Sequence, residues 1–344
     1  MGLDEILHEI GPMMSSRQGS SGFPREILPV ALVLPVKDEA ETLPELFDAL
    51  DRSAAWPAEI AFSDAGSTDG TVASIRAWWA ENAQTGVVLQ VIDNPGALPG
   101  AGRNAGIAAT HADWVGFLDG GIRPEPDWLQ QLYRSASAEG QDHAFGLCRF
   151  DANGALPLAV CALTNGVGTA TTVLPASIFH RRVLQNIGSF PEHLRSAEDL
   201  VWLRRFGEAY GRRHICREAV VHYTHYPPTL TGIVRKWFAF ERSSVAAGVG
   251  ARGRLMMLSA AIVFVLTIAL APVAAMAGLL AYLVLRGGVD PIRRSRAVLW
   301  WRAHPSALLW APVCAVAMDF GRLAGALSGM LLWYRSGRLP HQPG

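Results

Sequence analysis

Apolar residues in this chain fall into short runs, and each run ends on a cluster of polar or small residues. Residues 27–36 are almost continuously apolar and read as a central strand of a parallel sheet. From Ala40 the spacing changes to that of a helix, with Leu43, Leu46, Phe47 and Leu50 on one face. Residues 60–62 predict a second strand ending at Asp64-Ala-Gly-Ser-Thr-Asp-Gly-Thr71. A helix over 72–79, a third strand over 87–92 and a helix over about 101–110 follow, the last entered through the turn Asn94-Pro-Gly96. The fourth strand, Trp114-Val-Gly-Phe-Leu118, closes on Asp119 and then on two glycines, which leave room for a ligand against the backbone.

Four alternations of strand and helix in about 120 residues predict an open, mostly parallel α/β sheet with short right-handed crossovers. Ligands in such sheets bind beyond the carboxyl ends of the strands. Lys37-Asp-Glu39, Asp64-Ala-Gly66 and Asp119-Gly-Gly121 all fall there. A dinucleotide-binding domain needs Gly-x-Gly-x-x-Gly directly after the first strand, where this chain has Val36-Lys-Asp-Glu-Ala40.

Behind this front lies a second region of different character. The chain is 50% apolar, and much of the excess follows Leu255. Residues 255–285 carry no charge; as one helix they extend about 46 Å, against a hydrocarbon core of about 30 Å. They either span with tilt or bend at Pro272 into a re-entrant hairpin. Residues 305–334 form a second membrane segment, charged only at Asp319 and Arg322, which share a helix face and can neutralise each other. Gly321, Gly325 and Gly329 make a small-residue stripe suited to close helix packing. Residues 230–254, basic with Trp237, Phe238 and Phe240, are expected on anionic headgroups. Residues 286–304 form a basic loop. Arginines on both sides of the first segment favour a hairpin, since two plain spans would export one basic cluster.

Residues 1–25 read as a flexible segment and 335–344 as a tail. Early acids and the lack of an apolar h-region argue against a secretory signal, so the 26–229 domain is expected on the cytoplasmic side of an inner membrane. The four cysteines have neither metal-ligand nor pairing spacing. Lys+Arg and Asp+Glu are both 30, which offers no electrostatic argument for nucleic acid.

Five motifs occur in a fixed order: Pro35-Val-Lys-Asp-Glu39, Asp64-Ala-Gly-Ser-Thr-Asp-Gly-Thr71, Gly102-Arg-Asn-Ala-Gly106, Phe117-Leu-Asp119 and Glu198-Asp199. In this order they resemble family 2 glycosyltransferases, over roughly residues 28–225. The resemblance implies a GT-A fold and a nucleotide-sugar donor site drawing on Pro35, Asp38, Glu39, Asp64, Arg103, Asn104 and Asp119. It places Asp64 against the nucleotide base and Asp119 on a divalent metal, Mg²⁺ or Mn²⁺, with Gly121 where the family has a second acid. His222 matches a family histidine and is a candidate metal ligand; Arg123 is the alternative counter-charge for the diphosphate. Asp199 is implied as the catalytic base, with Glu198 beside it.

The same residues also carry plainer readings. Asp64 suits a turn, Asp69 the first turn of a helix, and Ser196-Ala-Glu-Asp199 resembles a capping box. Residues 164–179, rich in Gly, Thr and Ala, are expected to shape the acceptor pocket. The combined expectation is a membrane-attached inverting glycosyltransferase acting on a lipid-linked or envelope glycan acceptor. The alternative is a degenerate domain that binds a nucleotide-sugar without chemistry.

Overall fold

The computed structural model describes residues 25–83, 86–295, 299–302 and 304–336; the expected flexible segment (but for Arg25) and most of the expected tail lie outside these residues. Strands β1 (Glu26–Val36), β2 (Ala55–Asp64), β3 (Val88–Asp93) and β4 (Trp114–Phe117) alternate with helices α1 (Leu43–Asp51), α2 (Thr71–Asn82) and α3 (Pro99–Ala109). They form one parallel block in the order β3-β2-β1-β4. The apolar run that predicted β1 is buried from Val30 through Leu34, as a strand covered on both faces must be. Leu43, Leu46, Phe47 and Leu50 form the buried face of α1.

Beyond β4 the sheet is mixed rather than mostly parallel. The chain continues as β5 (Ile122–Pro124), α4 (Trp128–Ala138), β6 (His143–Phe150), α5 (Ala155–Thr164), β7 (Ala170–His180), α6 (Arg181–Ile187), α7 (Glu198–Tyr210) and β8 (Ile215–Tyr223). The full order is β3-β2-β1-β4-β7-β6-β8-β5, and β7 runs antiparallel to both β4 and β6. The reason is the connection: α5 joins β6 to β7 at one end of the sheet instead of crossing a face, so the chain re-enters reversed. That end is the carboxyl end of β1, β2 and β4. Most of residues 164–179 is therefore the interior strand β7, with only its start on the rim.

β8 also ends at this rim and leads into α8 (Leu230–Ala246), α9 (Ala251–Leu270), α10 (Pro272–Val284), a π turn at Leu285–Val289, α11 (Asp290–Ser295) and α12 (Ala307–Ser336). Among the described residues, three helical stretches are long and apolar enough to cross a membrane: Ala251–Leu270, Pro272–Ser295 and Ala307–Arg335. The uncharged 255–285 stretch does break before Pro272, where Ala271 adopts φ −151° and ψ 73°. The basic 230–254 stretch is divided between α8 and α9 and is not a free surface helix, because α8 packs along α12. The glycine stripe makes that contact: a Cβ on Gly321 would meet the Val234 carbonyl oxygen at 2.7 Å, and one on Gly325 that of Phe238 at 2.4 Å.

The membrane-seeking helices are bolted to the sheet through α5. Arg286 and Arg294 donate to the Leu163 and Thr164 carbonyls at its C-terminus, where carbonyls lack helical partners. The Val167 amide donates to Ser295 Oγ at 3.0 Å. Asp319 pairs with Arg322 at 3.5 Å, the neighbour expected from spacing. It is also held across helices by Arg286 at 3.3 Å and the Tyr282 hydroxyl at 2.9 Å.

Candidate active site

The site is built where β1, β2 and β4 end and α3 begins. Three glycines bring α3 against the strand ends. A Cβ on Gly106 would meet Val33 at 2.5 Å, one on Gly102 would meet Pro35 at 2.9 Å, and one on Gly100 would meet the Pro191 carbonyl at 2.2 Å. This close seating directs Arg103 into the interior.

Arg103 is buried between two acids: its Nη2 donates to Asp119 Oδ1 at 2.8 Å and its Nη1 to Glu198 Oε1 at 2.5 Å. Its guanidinium lies over the Phe190 ring. The two carboxylates hold the Arg103 pKa above its ordinary value although burial opposes this. Asp119 is the accessible member, with its side chain 42% exposed against 4% and 6% for Arg103 and Glu198. Arg103, expected on the donor phosphate, thus spends both terminal nitrogens on protein acids.

Asn104 is likewise engaged. Its amide donates to the Phe190 carbonyl at 3.0 Å and to Glu192 at 2.8 Å, and its oxygen accepts from the Phe190 amide. It ties α3 to the loop before α7. Trp202 reaches back to the Gly188 carbonyl and stacks on Phe190, closing the same contact from below.

Helix α7 starts with Glu198 and Asp199. Its N-cap is Ala197, at φ 69°, and the expected capping box is absent: the Ser196 amide donates instead to Ser243 Oγ of α8. A side chain in the left-handed region is uncommon; the other case among the described residues is Asp38, at φ 52°, also on this rim. Glu198 is committed to Arg103. Asp199 is half-buried and accepts from the Leu200 amide. Burial, then the charge of Asp119 among other influences, pushes the Asp199 carboxyl above its usual range; burial raises Glu198 as well.

At the end of β2, Asp64 accepts from Ser67 Oγ at 2.5 Å and from the Gly66 and Ser67 amides, holding the following turn. Asp38 Oδ1 accepts from the Thr68 amide at 2.8 Å. Asp69 accepts from Thr71 and from the Ala40 amide, which lowers its pKa; it stands before the N-cap Gly70 and not, as expected, in the first turn of α2. Together these bonds lock the β1 and β2 loops side by side.

At the missing second acid, His225 is the neighbouring imidazole: a Cβ on Gly121 would lie 3.4 Å from its Nδ1, which also contacts the Gly121 carbonyl at 3.1 Å. His222, the expected metal ligand, instead pairs with Glu125 at 3.0 Å and lies in β8 in register with Arg123 of β5 and Arg149 of β6. Arg123, the alternative phosphate partner, lies 3.4 Å from Glu45. Glu39 sits against Gly120, accepts from the Thr42 hydroxyl, and has its pKa raised chiefly by burial, with Asp119 adding to the shift. Strand geometry offered the clue for His225: it stands two residues past the end of β8, free to fold over Gly121.

No group of three or more His, Cys, Asp or Glu side chains among the described residues has metal-site spacing. Asp119 keeps one oxygen away from Arg103, with Glu39 and His225 beside it. Such an arrangement suits a metal whose shell is completed by substrate phosphates and water, as Mg²⁺ sites commonly are.

Comparison with known proteins converges on this rim. The Glycosyl transferase family 2 profile matches residues 31–155, which include Pro35, Asp38, Glu39, Asp64, Arg103, Asn104 and Asp119. Over this segment the chain is similar to family 2 glycosyltransferases. Glycosyltransferase AglE of Haloferax volcanii is 27% identical over 191 residues, covering 52% of this chain and 62% of AglE, so the match spans less than two thirds of that protein. The O-antigen chain rhamnosyltransferase RfbN of Salmonella typhimurium is 26% identical over 221 residues, 58% of this chain and 68% of RfbN. Mannosyltransferase PcManGT from Pyrobaculum calidifontis, solved with GDP-Man and Mn²⁺, has a TM-score of 0.52 at 17% identity, covering 86% of this chain and 91% of its own. That likeness is one of fold, GT-A-like as expected. Glu198, Asp199 and His225 lie outside the matched 31–155 segment, although β8 belongs to the same eight-stranded sheet.

Proposed function

We propose that this protein is a membrane-attached, inverting glycosyltransferase that moves a sugar from a nucleotide-sugar to a lipid-linked or cell-envelope glycan acceptor. The observation that carries the proposal is the buried Arg103, which joins Asp119 on the donor side to Glu198, next to Asp199 on the acceptor side. One cation thus ties Asp119 to the residue that precedes the proposed base.

In this mechanism Asp64, Asp38 and the loops they hold seat the nucleotide, and Pro35 backs α3 beneath it. Asp119 would hold a divalent metal together with the donor diphosphate, with Glu39 and His225 flanking; when bound, the metal neutralises charge on the leaving group. Asp199 takes the proton from the acceptor hydroxyl. That oxygen bonds to the anomeric carbon as the carbon–oxygen bond to the diphosphate breaks, and the nucleoside diphosphate leaves with the electron pair. A base opposite the leaving group inverts the anomeric configuration, by the logic of inverting hydrolases. A half-buried carboxylate whose pKa is raised is suited to accept that proton.

The membrane end supports a bound acceptor. Helices α5 and α8, which carry the apolar region, meet the sheet at the same rim as Asp119. Basic residues on both sides of the α9–α10 pair favour a cytoplasmic catalytic domain.

The competing reading, a domain that binds nucleotide-sugar without turnover, draws on Gly121. Purified full-length protein assayed with UDP- and GDP-sugars and membrane-lipid extract separates the two. Nucleotide release that needs the extract and is lost in Asp199→Ala supports transfer. Donor binding with no release in the wild type supports the competitor.

A further inference from the structure

Three helices qualify by length and composition as membrane spans, yet their contacts do not let all three cross. Helix α12 stays on the protein for most of its length. Its first half buries Ala307, Ala311, Cys314, Ala315 and Met318, and packs on α5. Its second half lies along α8, from Gly321 against Val234 to Gly329 against Arg242 and Val245. Helix α8 is itself fixed to the catalytic domain at both ends. It begins just after His225, and Ser243 near its end bonds the Ser196 backbone, two residues before Glu198. A helix docked along such a partner cannot leave the domain to traverse a bilayer.

Helices α9 and α10 behave differently. The start of α9 is held at α8 by Arg254 on Glu241, 3.0 Å, one turn from where Gly329 of α12 packs. The end of α10 returns to α12 through Tyr282 and Arg286 on Asp319. Asp319 and Gly329 are about 15 Å apart along one helix, so α9 and α10 must run out and back. From Arg254 to Ala271 the outward limb is about 26 Å long, and the return limb to Arg286 about 22 Å. The full helices are long enough to cross, but these free limbs between their anchor points fall short of a core of about 30 Å. The tip is apolar, with Leu270 82% and Val273 80% exposed, and is suited to hydrocarbon rather than to the far water layer. Pro272 removes one backbone donor at the break, and the Ala271 amide is satisfied by the Thr267 carbonyl, so the turn leaves little backbone unpaired inside lipid.

We infer that this chain enters the bilayer from one side and does not cross it: α9 and α10 form a re-entrant hairpin, and α12 lies in the membrane plane beneath the catalytic domain. The partner is the leaflet on the catalytic side. Leu309, Phe320, Leu327 and Leu331, spaced to one side of the helix, give α12 an exposed apolar outer face. Exposed Arg235, Arg242, Arg252 and Arg293 supply charge for anionic headgroups around it. The inference rests on the membrane attachment proposed above, and it sets the height of the Asp119 rim: directly over the lipid surface.

The test uses the full chain in its membrane. Reporters that read out cytoplasmic and exported positions are fused before Met1 or after Gly344, and both ends are expected on the same side. In parallel, Ala271→Cys and the exposed-turn control Gln141→Cys are treated with a membrane-impermeant maleimide; the native cysteines are buried and give little background. Gln141→Cys should label from the catalytic side, whereas Ala271→Cys should label at under a tenth of that level from either side, rising to it only in detergent. Ends on opposite sides, or labelling of Ala271→Cys from the far side, overturns the inference. Recovery of the wild type in an alkaline-carbonate supernatant overturns membrane attachment itself. Neither readout depends on turnover, so loss of the transferase reading remains a separate result.

Discussion

Arg103 and Glu198 are 95 residues apart in the chain and meet in a buried ion pair of 2.5 Å. Removing one partner of such a pair leaves an uncompensated charge, at a cost of about 3–5 kcal/mol. Arg103→Met is therefore expected to lower stability by that order, seen as an earlier denaturation midpoint in detergent. Adding Glu198→Gln removes the stranded charge. The double variant should recover about 0.5–3 kcal/mol relative to additive loss, the range of coupled contacts. Additive losses would show that the two side chains act independently.

Asp199 and Glu198 separate by assay. Asp199→Asn should lower kcat by about 10²–10⁴-fold, the range for a positioned proton acceptor, with donor KM nearly unchanged. Glu198→Gln should act mainly through stability and donor KM, because Glu198 touches Arg103 and not the acceptor side. Equal kcat losses in both would assign the base to the pair rather than to Asp199.

The pH dependence follows from the burial of Asp199. A base works only when deprotonated, so activity falls as pH drops through its pKa. Since that pKa is raised from the ordinary aspartate value of 3.8, the acidic limb of kcat should lie at higher pH than for a solvated aspartate. A kcat profile flat down to that ordinary value in the wild type would contradict the assignment.

The rim of this site was readable from sequence because strand ends announce themselves: an apolar run, then an acid, then glycine. The strand-end positions of Asp64 and Asp119 follow from that pattern. The glycine stripe of α12 was equally legible as a packing surface, although its partner α8 was not. What sequence could not supply is pairing across elements. Nothing local to Arg103 indicates that it bonds Glu198 rather than a phosphate, and nothing local to His222 says that Glu125 occupies it while His225 reaches Gly121. The direction of β7 was hidden for a similar reason, since α5 reads as an ordinary crossover helix until its position at the sheet end is known. The cap at Ala197 escaped because Ser196 is the better local match, and its contact with Ser243 of α8 decides otherwise.

Gly121 is the place to restore a second acid. A Cβ there would meet His225 no closer than 3.4 Å, an ordinary contact, so Gly121→Asp is accommodated without moving the backbone. It should tighten Mn²⁺-dependent donor binding by about tenfold, equivalent to about 1.4 kcal/mol. Asp119→Asn should abolish metal dependence in the same titration. Unchanged donor affinity in chelator for the wild type would shift the counter-charge from metal to arginine.

Two glycines test whether the α8–α12 contact holds the membrane region to the enzyme. Gly207 lies mid-helix in α7 with nothing within 4 Å of an added Cβ, so Gly207→Ala should stabilise by about 0.5–1 kcal/mol through helix propensity alone. At Gly325 the same methyl would lie 2.4 Å from the Phe238 carbonyl oxygen, so α8 and α12 would have to separate. Overpacking of this kind costs about 1–3 kcal/mol, and Gly325→Ala should lower the melting temperature while Gly207→Ala raises it. Because α8 also carries Ser243, which holds the Ser196 backbone before the α7 acids, the displacement should reach the active site as a reduced kcat. A Gly325→Ala enzyme of unaltered stability and kcat would show that α12 is not seated on α8.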